Sequence, residues 1–182
     1  MKSDCTKRSR KITECAVVIG RNKGIGLEIC QQLASNGILV VLTARDEKKG
    51  NEAIKNLKEL EISNAVFHQL DIKDPTSIAS LASFIKTRFG KLDIQVNNGR
   101  DPGVVIDLGP FKAFGGFNFV LDENAKVVKD VIDQSYDKVK ECLKINYYGT
   151  KGVTKVIFPL LQFFNSTRIV NASSVYGLLS VG

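Results

Sequence analysis

The sequence predicts an α/β protein, a three-layer, doubly wound fold around a parallel sheet of strand order 3-2-1-4-5. Three observations carry this. Short apolar runs alternate with amphipathic helical stretches along the 182 residues, which gives a parallel sheet with right-handed crossovers. A Gly-rich turn, Gly20 to Gly26, joins the first apolar run to the first helical stretch. Polar residues collect at the far ends of the apolar runs, where open parallel sheets carry their ligands. The length suits one domain that can bury a core without staples.

Each element follows from its residues. The run over 15–20 fits a strand buried on both faces. Ile25, Ile29 and Leu33 share one face of a helix over 24–36, which Gly37 can stop. The run over 38–43 is a second buried strand. Ala53, Ile54, Leu57 and Leu60 give 47–60 helical spacing, and 65–70 is a third strand. Asp74-Pro75 reads as an N-cap with a first-turn proline. Ile78, Leu81, Ala82, Ile85 and Phe89 line the helix that follows, with Gly90 at its end. The fourth strand is 92–96. Glycine and proline then break the pattern from 99 to about 126, and a loop this long within a compact domain is more often functional than accidental. Its phenylalanines favour packing of this insertion or flap. A long helix over about 135–164 is expected to bend near Gly149 or Gly152, with Pro159 disturbing its last turns. Residues 168–172 form the fifth strand.

Composition narrows the function classes. Net charge is +7 and the pI is near 9.2, but the basic residues are spread out with no basic–aromatic platform, which argues against nucleic-acid binding. No run approaches the roughly 20 apolar residues of a membrane span. Residues 1–14 are polar and read as a flexible tail without the apolar core of a signal peptide. The four cysteines show no C-x-x-C and no metal spacing, so no metal site is expected. Reduced thiols in a cytoplasmic protein are the natural state. His68 is the only histidine, which leaves no Ser-His-Asp triad.

The turn Gly20-Arg21-Asn22-Lys23-Gly24-Ile25-Gly26 carries the chemistry. A glycine turn between a parallel strand and a helix N-terminus cradles a pyrophosphate. Gly20 can take the tight turn. Gly24 and Gly26 remove Cβ atoms from the phosphate or from the helix–strand contact. Arg45 follows the second strand. An acidic residue there would accept from a ribose 2′-hydroxyl, whereas arginine pairs with a 2′-phosphate. NADP is therefore favoured over NAD, with Lys23 as a second cation and Asp46 as the N-cap of the next helix.

With the residues at the other strand ends, the chain resembles the short-chain dehydrogenase/reductase family. The matching pieces are Gly20-x-x-x-Gly24-Ile25-Gly26, Leu70-Asp71, Asn97-Asn98, Asn146 and Ser173-Ser174, in order over nearly the whole chain after residue 14. Asn22 to Ile29 and Asn146 to Lys151 resemble a plant branch, that of salutaridine reductase and the menthol and neomenthol dehydrogenases. That branch carries an insertion after strand four, thought to cover the active site and favour monomers. The resemblance implies a Rossmann fold, an NADP-dependent carbonyl oxidoreductase and a ketone or secondary alcohol substrate, terpenoid or alkaloid in kind. It implies that Asp71 and Ile72 contact the adenine. Asn98, with Asn97 beside it, lies near the cofactor ribose or braces the central strands. Asn146 holds a water in a proton relay, and Ser174 hydrogen-bonds the substrate carbonyl.

Departures from the family pattern set further expectations. The family's Tyr-x-x-x-Lys pair belongs on a helix after strand five, and the sequence stops at Gly182 before one. Tyr136…Lys140 and Tyr147…Lys151 lie too early in the chain, and Tyr176 has Ser180 four residues on. Ile19 replaces a threonine before the first motif glycine, and Asn97-Asn98-Gly99-Arg100 stands for Asn-Asn-Ala-Gly. The expectation is a chain with later strands missing, impaired in catalysis and prone to self-association through an exposed sheet edge. The alternative is a non-catalytic dinucleotide-binding or interaction protein; a nucleotide-sugar enzyme piece fits the strand ends less well.

Overall fold

The computed structural model describes residues 14–20, 22–106, 132–133, 135–161 and 167–173. In chain order the elements are β1 (Cys15–Ile19), α1 (Ile25–Ser35), β2 (Leu39–Ala44), α2 (Glu47–Glu59), β3 (Ala65–Gln69), α3 (Pro75–Phe89), β4 (Ile94–Asn97), β5 (Val105–Ile106), β6 (Ile132–Asp133), α4 (Tyr136–Leu143), a π-helical segment Lys144–Gly149, α5 (Thr150–Leu161) and β7 (Arg168–Asn171). The main sheet runs β3-β2-β1-β4-β7, and all four pairings are parallel. This is the expected 3-2-1-4-5 order of a Rossmann-like α/β fold.

The period-two alternation of strands divides the core into two layers. Val17, Ile19 and Val41 point to one face and pack with Ile78, Leu81 and Ile85 of α3 and Val153 and Ile157 of α5. Ala16, Val18, Val40 and Leu42 point to the other, against Cys30 and Ala34 of α1 and Ala53 and Leu57 of α2. Burying each large aliphatic side chain contributes about 1.5–3 kcal/mol. Helix starts and stops obey local rules. Asp46 accepts from the Lys49 N–H at 3.0 Å and Asp74 from the Thr76 N–H at 2.9 Å, so each caps its helix. Gly90 ends α3 in the left-handed region.

Two features differ from the sequence expectation. The stretch after residue 99 is not wholly irregular: β5 and β6 pair antiparallel and bring the two ends of the insertion together. Where a bend was expected, the chain forms the π segment, a wider turn that inserts a residue into the helix. Pro159 lies in the last turn of α5, which ends at Leu161 among the described residues, in keeping with the expectation. Residues 1–13, 21, 107–131, 134, 162–166 and 174–182, which include most of the tail and of the insertion over about 99–126, lie outside the described residues.

The foot of the sheet is tied by Asp93, which is buried. Its Oδ2 accepts from the Cys15 N–H at 2.8 Å, and Lys91 Nζ lies 3.0 Å from the same oxygen. The Asp93 N–H donates to Cys15 O, and Asp93 O accepts from the Arg168 N–H, both at 2.9 Å. β7 is the outer strand among the described residues, with Ile169 and Val170 exposed.

Candidate functional site

At the C-terminal ends of the strands lies a cleft of about 450 Å³. Gly20, Asn22 and Lys23 border it from the turn, Thr43 to Asp46 from β2, Leu70 to Lys73 from β3, Gly99 to Asp101 from β4, and Ile145 from the π segment.

The turn is shaped by backbone proximity. Gly20 has φ +104, in the region that favours glycine, and a Cβ there would overlap the Gly99 Cα and N. The Asn98 N–H donates to Ile19 O at 2.8 Å, so the turn and the β4 loop are seated on each other. Gly24 has φ +61, and a Cβ there would meet no described atom within 4 Å. Backbone conformation, rather than clearance from the sheet, accounts for that glycine. Gly24 is the N-cap of α1 and no side chain caps the helix, which leaves its first N–H groups open to an anion.

A hydroxyl does hold the turn, although Ile19 has none. Thr43, buried on β2, donates to Val18 O at 2.9 Å, and the Gly20 N–H donates to its Oγ1 at 3.4 Å. Asn22 Nδ2 donates to Lys49 O at 3.3 Å and links the turn to α2.

Charge around the cleft is uneven. Lys49 is engaged with Asp46, Nζ to Oδ2 at 3.5 Å. The Lys49 backbone N–H, more than the ammonium, holds the Asp46 carboxyl below its ordinary range. Lys73 pairs with Glu141 of α4 at 2.5 Å. That hydrogen bond holds Lys73 above its ordinary value and Glu141 below. Lys23 and Arg45 make no ion pair and no side-chain hydrogen bond among the described residues. Asp71 closes a local turn: its N–H donates to Ser77 Oγ and its Oδ1 accepts from the Lys73 N–H, both at 3.0 Å. Ile72 meets the π segment at Gly149, where a Cβ would stand 2.9 Å from Ile72 Cγ1.

Gly20, Asn22, Lys23, Arg45, Asp71 and Ile72 therefore border one cleft. Gly24, Ile25 and Gly26 stand behind the turn, outside the cleft lining. Asn97, Asn98 and Asn146 are also outside the lining. Asn97 accepts from Gln95 Nε2 at 2.8 Å and donates to Asn171 Oδ1 at 2.7 Å, which braces β4 against β7. Asn98 ties the β4 loop to β1 through its N–H. Asn146, in the π segment, accepts from the Asp101 N–H and donates to Asp101 O, each at 2.8 Å. Both polar atoms of its amide are thus engaged with the backbone after β4. Ser174 lies outside the described residues. The pairs Tyr136…Lys140 and Tyr147…Lys151 are neighbours on the helix surface, Lys151 Nζ 3.5 Å from the Tyr147 oxygen, and neither borders the cleft.

Lys73 and Ile145 border the cleft without being anticipated as site residues, whereas Thr43 and Arg100 lie at the strand ends where ligands of such sheets are expected. Thr43 had a signal, a hydroxyl in an otherwise apolar strand one step beyond the Val18–Leu42 register. Lys73 had none, since Glu141 is 68 residues away. Burial pushes the Cys15 and Cys30 thiols up to about 12, with Asp93 adding to the effect at Cys15. Both are protonated and unreactive. Among the described residues there is no group of three or more potential metal ligands, and no helix is long and apolar enough to cross a membrane.

The chain is similar to proteins named as reductases and dehydrogenases. The family described as short chain dehydrogenase matches residues 14–182. Salutaridine reductase of Papaver bracteatum is 52% identical over 174 residues, covering 91% of this chain and 55% of that protein. (+)-Neomenthol dehydrogenase of Arabidopsis thaliana is 52% identical over 168 residues, covering 90% of this chain and 54% of that protein. The solved structure of salutaridine reductase from Papaver somniferum superposes with a TM-score of 0.80 at 50% identity, over 91% of this chain and 58% of that one. The chain spans about half the length of the curated relatives it matches.

Proposed function

The chain belongs to the short-chain dehydrogenase/reductase family of oxidoreductases, and from that premise we propose that its cleft holds NADP(H) for reduction of a ketone, or oxidation of a secondary alcohol, of terpenoid or alkaloid kind. The observation that carries the cofactor choice is Arg45, a cation at the end of β2 with no ion pair among the described residues. A 2′-phosphate is the partner such an arginine suits. Lys23 adds charge from the turn. The residues fit a dinucleotide: the contact at Gly20 leaves no room for a Cβ, and α1 begins uncapped.

In this reading the Gly20 turn and the first N–H groups of α1 receive the pyrophosphate, and Asp71 and Ile72 flank the adenine. Asn97 and Asn98 keep the β4 end in place beneath the ribose. When bound, the nicotinamide supplies hydride exchange with the carbonyl carbon. The developing oxyanion needs a donor within about 3 Å, the role given to Ser174. Asn146 contributes by fixing the loop after β4, and a relay water would be an added partner of an amide already engaged. The protein acts as a monomer in the cytoplasm, with association through the exposed β7 edge as the competing arrangement. Light scattering separates those two.

Fluorescence titration tests the cofactor. NADPH should bind more tightly than NADH, and Arg45→Asp should reverse the order. Equal binding of both, unmoved by the substitution, would sink the NADP assignment. A second reading is a dinucleotide-binding protein without turnover. NADPH oxidation on adding menthone would exclude it for these 182 residues.

A further inference from the structure

A carboxylate from far along the chain stands beside the end of the cleft that carries Arg45. Lys73 borders the cleft together with Arg45, and its ammonium is held by Glu141 of α4. We infer that Glu141 is a specificity-determining residue that works against the 2′-phosphate. It neutralises Lys73 and sets a negative charge near Arg45, so it narrows the preference for NADPH over NADH. This rests on the NADP reading and adds to it a residue that opposes the choice Arg45 makes.

The place of Glu141 is fixed from both sides. The loop after β3 is locked by Asp71, whose N–H donates to Ser77 Oγ and whose Oδ1 accepts from the Lys73 N–H, both at 3.0 Å. Between them Ile72 seats on the π segment at Gly149, where a Cβ would stand 2.9 Å from Ile72 Cγ1. Ile145, one turn beyond Glu141, borders the cleft. The Lys73–Glu141 pair therefore bridges two elements that wall this end. The charges there act on one another. The Lys73 hydrogen bond is the main cause that holds Glu141 below its ordinary range, and the charges of Lys73, Lys144 and Arg45 add to it. Arg45 in turn opposes the rise that Glu141 gives Lys73. A 2′-phosphate brought to Arg45 enters the field of that carboxylate with a charge of about −1.5 to −2 near pH 7. NADH has a hydroxyl there, and both cofactors share the diphosphate, so the ratio of their affinities isolates the effect. Both side chains of the pair are more than a third exposed, so water and salt keep the effect modest.

The test uses the full 182-residue chain, with NADPH and NADH followed by fluorescence and 2′-AMP by calorimetry. Glu141→Gln keeps an oxygen that can accept from Lys73 and removes the charge. With its fold checked by circular dichroism, it should tighten NADPH and 2′-AMP by about threefold to tenfold and leave NADH unchanged. Glu141→Asp, which keeps the charge, should keep the wild-type ratio. Lys73→Met leaves Glu141 without its partner and should weaken NADPH, and K73M/E141Q should return NADPH to near the wild-type value. Added salt should shrink the gain of E141Q. If E141Q lowers the ratio of NADPH to NADH affinity, or tightens both cofactors alike, the inference is overturned while a wild-type preference for NADPH keeps the NADP reading. A wild-type chain that binds both cofactors equally, unmoved by Arg45→Asp, overturns both.

Discussion

The two ends of the sheet are made from the same strands and treat their polar groups in opposite ways. At the foot, every group named is engaged. The Asp93 carboxylate takes the Cys15 N–H and the Lys91 ammonium, while its backbone joins β1 on one side and the start of β7 on the other. At the other end the loops that follow the strands carry Gly20 and Lys23 after β1, Arg45 after β2 and Gly99 after β4. There α1 has no side-chain cap, and Lys23 and Arg45 have no ion-pair partner among the described residues. A sheet end whose donors are saturated acts as a joint, and one whose donors stay open to the cleft acts as a site. The contrast says where substitutions should cost stability alone and where they should also cost binding.

The largest effect should come from Gly20→Ala. Positive φ and overlap with Gly99 act together, and the substitution should cost about 3 kcal/mol in urea denaturation and abolish NADPH binding. Asp93→Ala should come close to it in stability, about 2–3 kcal/mol, by leaving the buried Cys15 N–H unpaired and Lys91 without its carboxylate. It should leave the NADPH affinity of the folded fraction unchanged. Weakened binding in D93A would break the division between the ends. Thr43→Val is smaller, about 1–2 kcal/mol for the lost hydroxyl, and should loosen cofactor binding because the Gly20 N–H loses its acceptor. Thr43→Ser should retain both properties.

The smallest effect concerns Lys73–Glu141, which ties α4 to the loop after β3. Glu141 titrates below its ordinary value of 4.5 in the folded protein. Its stabilising share is therefore full above about 4.5 and is lost as pH falls through the lower folded value. Lys73 is raised above 10.5, so its share persists below that and is lost as pH rises through the raised value. Melting temperatures of wild type and Glu141→Gln should differ slightly near pH 7 and converge in acid. A gap that widens in acid would contradict this sign.

Strand order, both core layers and the caps at Asp46 and Asp74 were legible because apolar period and cap chemistry are local. So were the turn, Arg45 and Asp71, since doubly wound sheets bind at strand ends. The β5–β6 ladder was not, because two-residue strands carry no periodicity. Nor was the clamp of Asn146 on Asp101, which joins residues 45 apart through a π segment whose widened turn has no compositional mark. Asn97 shows the same limit: its residue type suited either a ribose or a brace, and only the distance to Asn171 separates them.

Amide NMR of the ¹⁵N-labelled chain during NADPH titration tests the division between the two ends most directly. Shifts should concentrate at Gly20, Asn22, Arg45, Asp71 and Gly99, with Cys15, Asp93 and Arg168 at the foot unmoved. Shifts centred on the foot, or none at saturating NADPH, would contradict the assignment of the C-terminal strand ends as the cofactor site.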